Sequence, residues 1–262
     1  MPEGDTVWRA ARRLHAALAG QELTGSDFRV PRYATLDLSG QTVDEIRSRG
    51  KHLLMRIGAL TVHSHLGMDG SWQIYQPGER WRKPAFQARL ILSTSTTTAV
   101  GFALAALDVV SRADEDTLVG HLGPDLLGPD WDADEALRRL RQEPDRPIGL
   151  ALLDQRNLAG IGNVYRCELC FIARVHPSTP VGRVTDLPAM VLKSKQLLEV
   201  NKDRGRRSTI GSPARGESFW VYGRARRPCG RCGTPIVHDL QGNTDADQRD
   251  VYYCPHCQPL AS

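Results

Sequence analysis

The sequence lacks the features of a membrane-spanning or disulfide-stabilised secreted protein. No apolar run in its 262 residues approaches the roughly 18 residues that a membrane span requires. The opening MPEGDTVWRAARR has no apolar signal core, and the six cysteines fall in Cys-x-x-Cys pairs instead of being scattered as in a disulfide framework. We therefore expect a soluble protein of a reducing cytoplasm, long enough at 40% hydrophobic content to bury one or two cores.

The positive charge is unevenly distributed along the chain. The formal net charge is +4, and residues 201–262 alone hold ten Lys and Arg against six Asp and Glu. The net charge of residues 1–200 is therefore zero. Arginine forks match phosphate oxygens, which indicates a polyanionic partner, although a solvated basic loop would carry the same charge. Most of these cations lie between 202 and 231: Lys202, Arg204, Arg206, Arg207, Arg215, Arg224, Arg226, Arg227 and Arg231.

The first residues combine a nucleophile with an acid. Removal of Met1 would leave Pro2 with a free secondary amine, and Glu3 follows it directly. An α-amino group has a reference pKa of about 7.7 to 8.0, so modest burial makes such an amine usable for Schiff-base chemistry near neutral pH. The alternative is that Pro2 only helps to begin a helix. Asp5 is expected to cap that helix, whose apolar stripe would be Val7, Ala11, Leu14 and Leu18, ended by Gly20.

From about residue 23 to 102 the pattern is one of short apolar runs separated by turn residues, which predicts antiparallel strands in a sandwich or barrel. Gly50-Lys51-His52 precedes one strand, and a glycine-framed turn, residues 65–70, follows another. Both turns could lie exposed at a sheet end. His63 and His65 have no third metal ligand nearby, so we assign them a hydrogen-bonding role. The predicted strands are 43–46, 53–57, 60–65, 72–75, 90–92 and 100–104.

Past about Gly128 the period becomes helical. Asp132 and Glu135 are spaced as a capping box, Pro147 opens a second helix, and Asp186 precedes a third at 188–200. The segment 157–163 interrupts the second helix with a tight glycine turn, after which 164–171 resumes it. Backbone amides of such a turn can hold a phosphate, but an ordinary helix hairpin has the same pattern. Within the resumed helix, Cys167 and Cys170 are interpreted as core thiols.

Four C-terminal cysteines predict a zinc ribbon. Cys229 and Cys232 repeat as Cys254 and Cys257 across a gap of 21 residues, from 254 − 232 − 1. Two thiolate pairs on tight turns can close a tetrahedral site around one structural Zn²⁺, which would fold a segment too short for its own core. His238 and His256 are rival ligands, although four thiolates already complete the shell.

Together, the Pro-Glu start, the segment LLDQRNLAGIGNVYRCE and the ribbon resemble the formamidopyrimidine-DNA glycosylase and endonuclease VIII family along essentially the whole chain. The resemblance implies an α+β fold: an N-terminal antiparallel β-sandwich with an N-terminal helix, a helix-two-turn-helix domain and a C-terminal zinc-ribbon hairpin. We expect these domains at 1–125, 126–225 and 226–262. The family also implies a monomer that binds damaged DNA and does not associate with a membrane. If the source is a bacterium, we expect the protein to be nucleoid-associated.

The same resemblance implies a role for each matched residue in base-excision repair. Pro2 would attack C1′ of a flipped nucleotide, Glu3 would protonate the sugar ring oxygen, and β,δ-elimination would nick the strand. Lys51, in Arg49-Gly50-Lys51, would bind phosphate or assist proton transfer. Asn163 and Arg249, the latter five residues before the third ribbon cysteine, would clamp the flanking phosphates.

Two departures from the family pattern affect specificity. The purine-specific branch carries an Arg-Arg-Phe-Gly loop, and the matching region here, Ala106–Ala113, lacks it; Thr6 stands where a glutamate is common. The MPEG start and the missing Arg-Phe pair resemble the endonuclease VIII branch, which favours oxidised pyrimidines, whereas HLGMDG at 65–70 resembles the purine branch. Met68 is the residue expected to fill the gap left by the flipped base, and the alternative is that it packs in the core. An alternative from another class is a non-catalytic zinc-ribbon protein that binds damaged or single-stranded nucleic acid, in which the Pro-Glu start is coincidence.

Overall fold

The computed structural model describes residues 1–211 and 217–260, so Arg215 of the basic stretch lies outside the described residues. The chain divides into two compact units, Met1–His121 and Leu122–Ser262. The division lies close to the predicted boundary at 125/126, and the second unit holds both the helical and the ribbon segments. In the described ranges, no helix combines the length and the apolar character needed to cross a membrane.

The first unit is a β-sandwich preceded by a helix, as predicted. Its two antiparallel sheets have the strand orders β1-β6-β7-β5 and β2-β3-β4-β8. A short helix, α2 (Glu115–Val119), ends the unit. The other elements are α1 (Gly4–Leu18), β1 (Gly25–Phe28), β2 (Val43–Arg49), β3 (His52–Ile57), β4 (Leu60–His65), β5 (Ser71–Tyr75), β6 (Ala88–Ser93), β7 (Thr98–Phe102) and β8 (Ala106–Ser111).

Helix α1 buries the predicted stripe against the sandwich. Val7, Leu14 and Leu18 are almost fully buried in the core that they share with both sheets, and each such side chain contributes about 1.5–3 kcal/mol of burial. The prediction that Asp5 caps the helix was wrong. Glu3 is the N-cap residue, in an extended conformation, and Asp5 lies buried inside the first turn.

Two strands were missed in the sequence. The segment matched to the purine-branch loop, Ala106–Ala113, is mostly strand β8, which pairs with β4 along its whole length. The connection that precedes β8 is only Ala103–Ala105, where Ala103 has a φ of +48°. The three residues of this turn, Ala-Leu-Ala, include no Arg-Phe pair. Strand β1, a four-residue segment with only one fully buried residue, gives little apolar signal.

The second unit is helical and ends in a two-stranded hairpin. Asp132 caps α3, since its carboxylate accepts hydrogen bonds from the amides of Asp134 and Glu135. The reciprocal half of the predicted capping box is replaced by ion pairs from Glu135 to Arg138 and Arg139. The elements are α3 (Ala133–Leu140), α4 (Ile148–Leu153), α5 (Asn163–Ile172), α6 (Leu187–Lys202), β9 (Val237–Gln241) and β10 (Arg249–Tyr253).

Helix α5 joins the two cores of the second unit. Tyr165 and Cys170 pack in the core with α3, α4 and α6, whereas Cys167 and Phe171 pack in the core of the hairpin. Both thiols are fully buried, as expected for core cysteines. Burial raises the pKa of the Cys167 thiol to about 11 and that of Cys170 to about 12, so neither is a reactive thiolate at neutral pH.

Candidate active site and nucleic-acid interface

The N-terminal residues are held rigidly at the start of α1. The carbonyl of Glu3 accepts hydrogen bonds from the amides of Thr6 at 2.9 Å and Val7 at 3.0 Å. The Glu3 side chain is fully buried, whereas Pro2 remains half-buried immediately before it. An amine on Pro2 would therefore sit at a helix N-terminus beside a carboxyl group that is shielded from water. This arrangement suits a nucleophile and a proton donor that must keep a fixed geometry.

Lys51 occupies the two-residue turn between β2 and β3. The strands pair up to Arg49 and His52, and Gly50 adopts the φ of +57° that the first position of such a turn requires. Lys51 is half-buried, and α1 packs against both strands of this hairpin. Pro2, Glu3 and Lys51 thus all belong to the first unit, on a helix and a hairpin that share one core.

Met68 projects from the turn that follows β4. Its side chain is 69% exposed, so Met68 does not pack in the core. Two glycines shape the turn. Gly67 has a φ of +62°, and a Cβ on Gly70 would lie 2.2 Å from the carbonyl oxygen of Leu66. The turn therefore presents a flexible apolar side chain to solvent on a tightly fixed backbone.

A histidine network beside Lys51 was not predicted. Strand pairing places His52 opposite His65 and His63 opposite Asp108, on the sheet face away from the core. His52 Nδ1 lies 2.8 Å from His63 Nε2, and His63 Nδ1 lies 3.2 Å from Asp108 Oδ2. The hydrogen-bonding role expected for His63 is confirmed.

The chain of hydrogen bonds fixes the tautomers. Because the Asp108 carboxylate can only accept, His63 carries its proton on Nδ1 and accepts at Nε2 from the Nδ1–H of His52. His52 then carries its proton on Nδ1 and leaves Nε2 unprotonated. Burial, followed by the nearby His63, His65, His121 and Lys51, lowers the pKa of His52 to about 3. The ring is therefore neutral at physiological pH and adds no charge next to Lys51.

Acid should weaken the fold through His52. Its folded pKa of about 3 lies below the ordinary value of 6.5, so in this window the unfolded chain binds a proton that the folded chain refuses. Stability is thus lost as the pH falls below about 6.5, by up to roughly 1.4 kcal/mol per pH unit. We expect His52→Gln to flatten this loss in urea unfolding measured between pH 7.5 and 5.5.

The matched control is His121→Gln, a change at an exposed ring of the same cluster, which should alter the slope less. An equal pH dependence of unfolding in the parent and in His52→Gln would contradict this expectation. It would show that the pKa of His52 is the same in the folded and the unfolded chain.

The glycine turn between α4 and α5 is braced by side chains. Gln155 Nε2 donates to the carbonyls of Leu153 at 2.8 Å and Ile161 at 2.9 Å, and its Oε1 accepts from the amide of Gly160 at 3.0 Å. Gly162 is the N-cap residue of α5 in an extended conformation. The predicted helix–turn–helix arrangement is therefore present, and its turn presents the N-terminus of α5.

Asn163, the first residue of α5, reaches the ribbon hairpin. Its Nδ2 donates to the carbonyl of Asp250 at 2.8 Å, and its Oδ1 accepts from Arg166. Arg166 is fully buried and donates to the same Asp250 carbonyl at 2.8 Å. The exposed Arg249 precedes Asp250 on β10, so Asn163 and Arg249 lie on adjoining elements of the second unit. Asn163 itself is only 2% exposed, with one Nδ2 proton committed to the hairpin.

Glu168 is a second buried anchor that sequence reasoning missed. Its carboxylate accepts hydrogen bonds from the Thr209 hydroxyl and from the amides of Trp220, Val221 and Tyr222. Burial raises the pKa of Glu168, while these four donors act against the rise. Glu168 thereby fixes residues 220–222 onto α5.

Cys229, Cys232, Cys254 and Cys257 come together as one group able to bind a metal ion. The Sγ atoms of Cys229 and Cys257 are 3.9 Å apart, and Cys232 Sγ lies 3.5 Å from both Cys254 Sγ and Cys257 Sγ. A tetrahedron with metal–sulfur bonds of about 2.3 Å has edges of about 3.8 Å. The donor set therefore fits a four-thiolate site. The rival ligand His238 instead pairs with Asp250 at 2.7 Å.

Part of the basic stretch is used inside the second unit. Arg231 stacks on Phe171 with its guanidinium carbon 4.1 Å from the ring centroid and donates to the Phe171 carbonyl at 2.8 Å. Arg224 is almost fully buried and donates to the carbonyl of Trp220 at 2.9 Å. These two arginines stabilise the fold, so the charge of the stretch overstates what is available to a polyanion.

Comparison with known proteins decides the family. Residues 1–105 match the formamidopyrimidine-DNA glycosylase N-terminal domain, and residues 122–202 match the formamidopyrimidine-DNA glycosylase H2TH domain. The chain belongs to the formamidopyrimidine-DNA glycosylase family. It is 58% identical to the probable endonuclease 8 2 of Streptomyces coelicolor, over 98% of this chain and 94% of that protein. It is 48% identical to the DNA-(apurinic or apyrimidinic site) lyase Nei2 of Mycolicibacterium smegmatis, over 98% and 99% of the two chains.

Solved structures of formamidopyrimidine-DNA glycosylases share the fold. The Lactococcus lactis protein in complex with DNA that contains an abasic site aligns with a TM-score of 0.80 at 23% identity, over 98% of this chain and 100% of that chain. Within the family, the relatives named endonuclease 8 2 or Nei2 are 48–58% identical, whereas three named formamidopyrimidine-DNA glycosylase are 28–32% identical. The resemblance to the endonuclease VIII branch is confirmed.

Proposed function

We propose that the chain is a DNA glycosylase and abasic-site lyase that removes oxidised bases and nicks the strand. The observation that carries the proposal is the half-buried Pro2 held against the fully buried Glu3 at the start of α1, in a chain of the formamidopyrimidine-DNA glycosylase family. A secondary amine at that position forms a Schiff base without needing an activated lysine.

The reaction follows from the α-amine of Pro2 and the carboxyl group of Glu3. After loss of Met1, the Pro2 nitrogen attacks C1′ of the damaged nucleotide while Glu3 protonates the ring oxygen, so the base leaves and the sugar opens to an iminium. The iminium acidifies the C2′ hydrogen. Loss of that proton to a base expels the 3′ phosphate, a second elimination expels the 5′ phosphate, and water then hydrolyses the iminium to release the sugar fragment as an aldehyde and free Pro2.

DNA is held through its phosphates. We propose that Lys51 binds phosphate near the reacting sugar and that Arg249 and Asn163 bind the phosphates flanking the flipped nucleotide. The exposure of Arg249 supports direct contact. Asn163 has one Nδ2 proton beyond its bond to Asp250, and the amides at the N-terminus of α5 add donors beside it.

The metal is proposed to be one structural Zn²⁺. The four sulfurs fit tetrahedral thiolate coordination, and a complete shell of protein ligands leaves no position for substrate. When bound, zinc would hold the two Cys-x-x-Cys turns together and so fix the hairpin that carries Arg249. We also propose that the protein acts as a monomer, since all of these residues are present in one chain.

Oxidised pyrimidines should be excised better than 8-oxoguanine, with single strands and bubbles tolerated. The turn Ala103–Ala105 offers no Arg-Phe pair, so the base opposite the gap is poorly recognised, and the exposed Met68 is left to fill the gap. Because a duplex has more stacking to replace, Met68→Ala should reduce excision from duplex about tenfold and from single strands less. Single-turnover rates on matched oligonucleotides measure both.

Leu192→Ala, at another exposed apolar side chain, is the control and should leave both rates unchanged. Preference for 8-oxoguanine opposite cytosine, with little activity on single strands, would contradict the branch-specific proposal while leaving the Pro2 chemistry standing.

The proposed function itself is tested by incubation with an oligonucleotide that carries a single abasic site. A lyase acting by β,δ-elimination leaves phosphates on both ends of a one-nucleotide gap, whereas a non-catalytic zinc-ribbon protein binds the oligonucleotide and leaves it whole.

A further inference from the structure

The loop between β5 and β6 exposes an aromatic ring in a cluster of cations. Phe86 is 78% exposed, the most exposed large apolar side chain among the described residues. The segment Glu79–Arg89, which ends on the second residue of β6, carries Arg80, Arg82, Lys83 and Arg89 against the single acid Glu79, so its formal charge is 4 − 1 = +3. Residues 79–85 also line an open groove of about 550 Å³.

The exposure of Phe86 is not a consequence of a loose backbone. Arg29 donates to the carbonyl of Ala85 at 3.3 Å, and Arg89 donates to that of Phe86 at 3.1 Å. The amide of Gln87 donates to the carbonyl of Pro84 at 3.0 Å within a short 3₁₀ turn. Two guanidinium groups thus fix the backbone beside a ring that is left in water, where it forfeits the burial that stabilises other aromatic side chains.

This loop adjoins the Met68 turn. Lys83 Nζ donates to the carbonyl of Asp69 at 3.3 Å, and the amide of Ala103 donates to the carbonyl of Gln87 at 2.8 Å. The two most exposed large apolar side chains described, Phe86 and Met68, therefore project from directly connected loops of the first unit. The surface that carries Met68 continues onto a basic loop with a ring of its own.

We propose that the segment Glu79–Arg89 is a second nucleic-acid contact, in which Phe86 stacks on an unpaired base and Arg80 and Arg82 bind phosphates of the same strand. The proposal rests on the proposed function and extends its footprint beyond the lesion. Proteins that bind single strands combine a positive groove with aromatic rings on which bases stack. The net positive charge around a single exposed ring matches a polyanion that also carries stacking bases, so this combination favours nucleic acid.

The test compares Phe86→Ala with the parent protein in equilibrium binding to single-stranded oligonucleotides of increasing length that carry one abasic site. On long oligonucleotides Phe86→Ala should bind about tenfold more weakly, as for loss of one base–aromatic stack. The difference should vanish on oligonucleotides too short to reach the loop. Phe86→Tyr should keep the affinity, and Leu192→Ala, at another exposed apolar side chain on α6, should leave it unchanged.

Arg80→Ala should in addition flatten the dependence of log K on log salt by about 0.7 for a single strand. Borohydride trapping of the parent on the shortest oligonucleotide separates the two proposals. Suppose that the parent forms the trapped adduct but Phe86→Ala binds every length of oligonucleotide as tightly as the parent. The proposed contact at Phe86 is then overturned, while the proposed enzyme activity stands. A loop that binds a protein partner would give this outcome. If the parent does not trap, the proposed function fails whatever Phe86 does.

Discussion

Glu3→Gln is expected to lose base excision far more than lyase action on preformed abasic sites. The carboxyl is needed to protonate the sugar ring oxygen while the base is still attached, whereas an abasic site offers an open aldehyde that Pro2 can attack without that step. Since general acid catalysis contributes about 10²- to 10⁴-fold, the excision rate should fall by that factor. Single-turnover rates on a lesion oligonucleotide and on an abasic oligonucleotide give the ratio.

Asp5→Asn is the matched control for this experiment. Asp5 is equally buried in the first turn of the same helix, so its replacement tests the cost of altering a buried carboxyl there without touching the proposed acid. If Asp5→Asn lowers the rate of excision or of lyase action, it should lower both by the same factor. Equal losses on both substrates for Glu3→Gln would contradict the role of Glu3 as the acid of the glycosylase step.

Cys232→Ser and Cys257→Ser should each release the metal and weaken DNA binding. Cys254 and Cys229 belong to a small core with Phe171, Val221 and Val251, so loss of the metal should disorder the hairpin as well as the site. With Arg249 no longer held, affinity for DNA should fall roughly tenfold or more, as for loss of one charged hydrogen bond of about 1.5–3 kcal/mol. Metal analysis and binding titrations measure the two effects.

Arg249→Ala removes the proposed phosphate contact but leaves the hairpin and its metal site in place. It should keep one metal per chain and weaken binding, and the slope of log K against log salt should flatten by about 0.9 on duplex DNA. Full metal content in Cys232→Ser or Cys257→Ser would contradict the four-thiolate site, and an unchanged salt slope in Arg249→Ala would place that side chain away from the backbone.

Local patterns predicted most of the fold because each depends on neighbours in the sequence. The apolar stripe of α1, six strands and the helices after Pro147 all follow from periodicity and turn residues. The paired cysteines fixed a four-sulfur group without knowledge of the hairpin. Strand β8 was missed because the segment was matched to a loop, and its six half-buried residues show no alternation of buried and exposed positions.

Most contacts that depend on strand register could not be predicted from the sequence. The tight turn at Gly58-Ala59 pairs His52 with His65, so part of the histidine network was derivable from one hairpin. Asp108 was not, because it required β8. The burial of Arg166 and Glu168, and the exposure of Phe86, depend on which elements cover them, and a sequence pattern does not state this.

The central claim is that the Pro2 amine is the nucleophile, and borohydride reduction followed by peptide mass mapping tests it most directly. Protein with Met1 removed is mixed with an oligonucleotide that contains one abasic site and reduced, because an iminium is trapped as a stable amine. We expect a covalent adduct located on residue 2, and loss of trapping when Met1 is retained, since the Pro2 nitrogen is then an amide. An adduct on a lysine, or equal trapping by the protein that retains Met1, would contradict it.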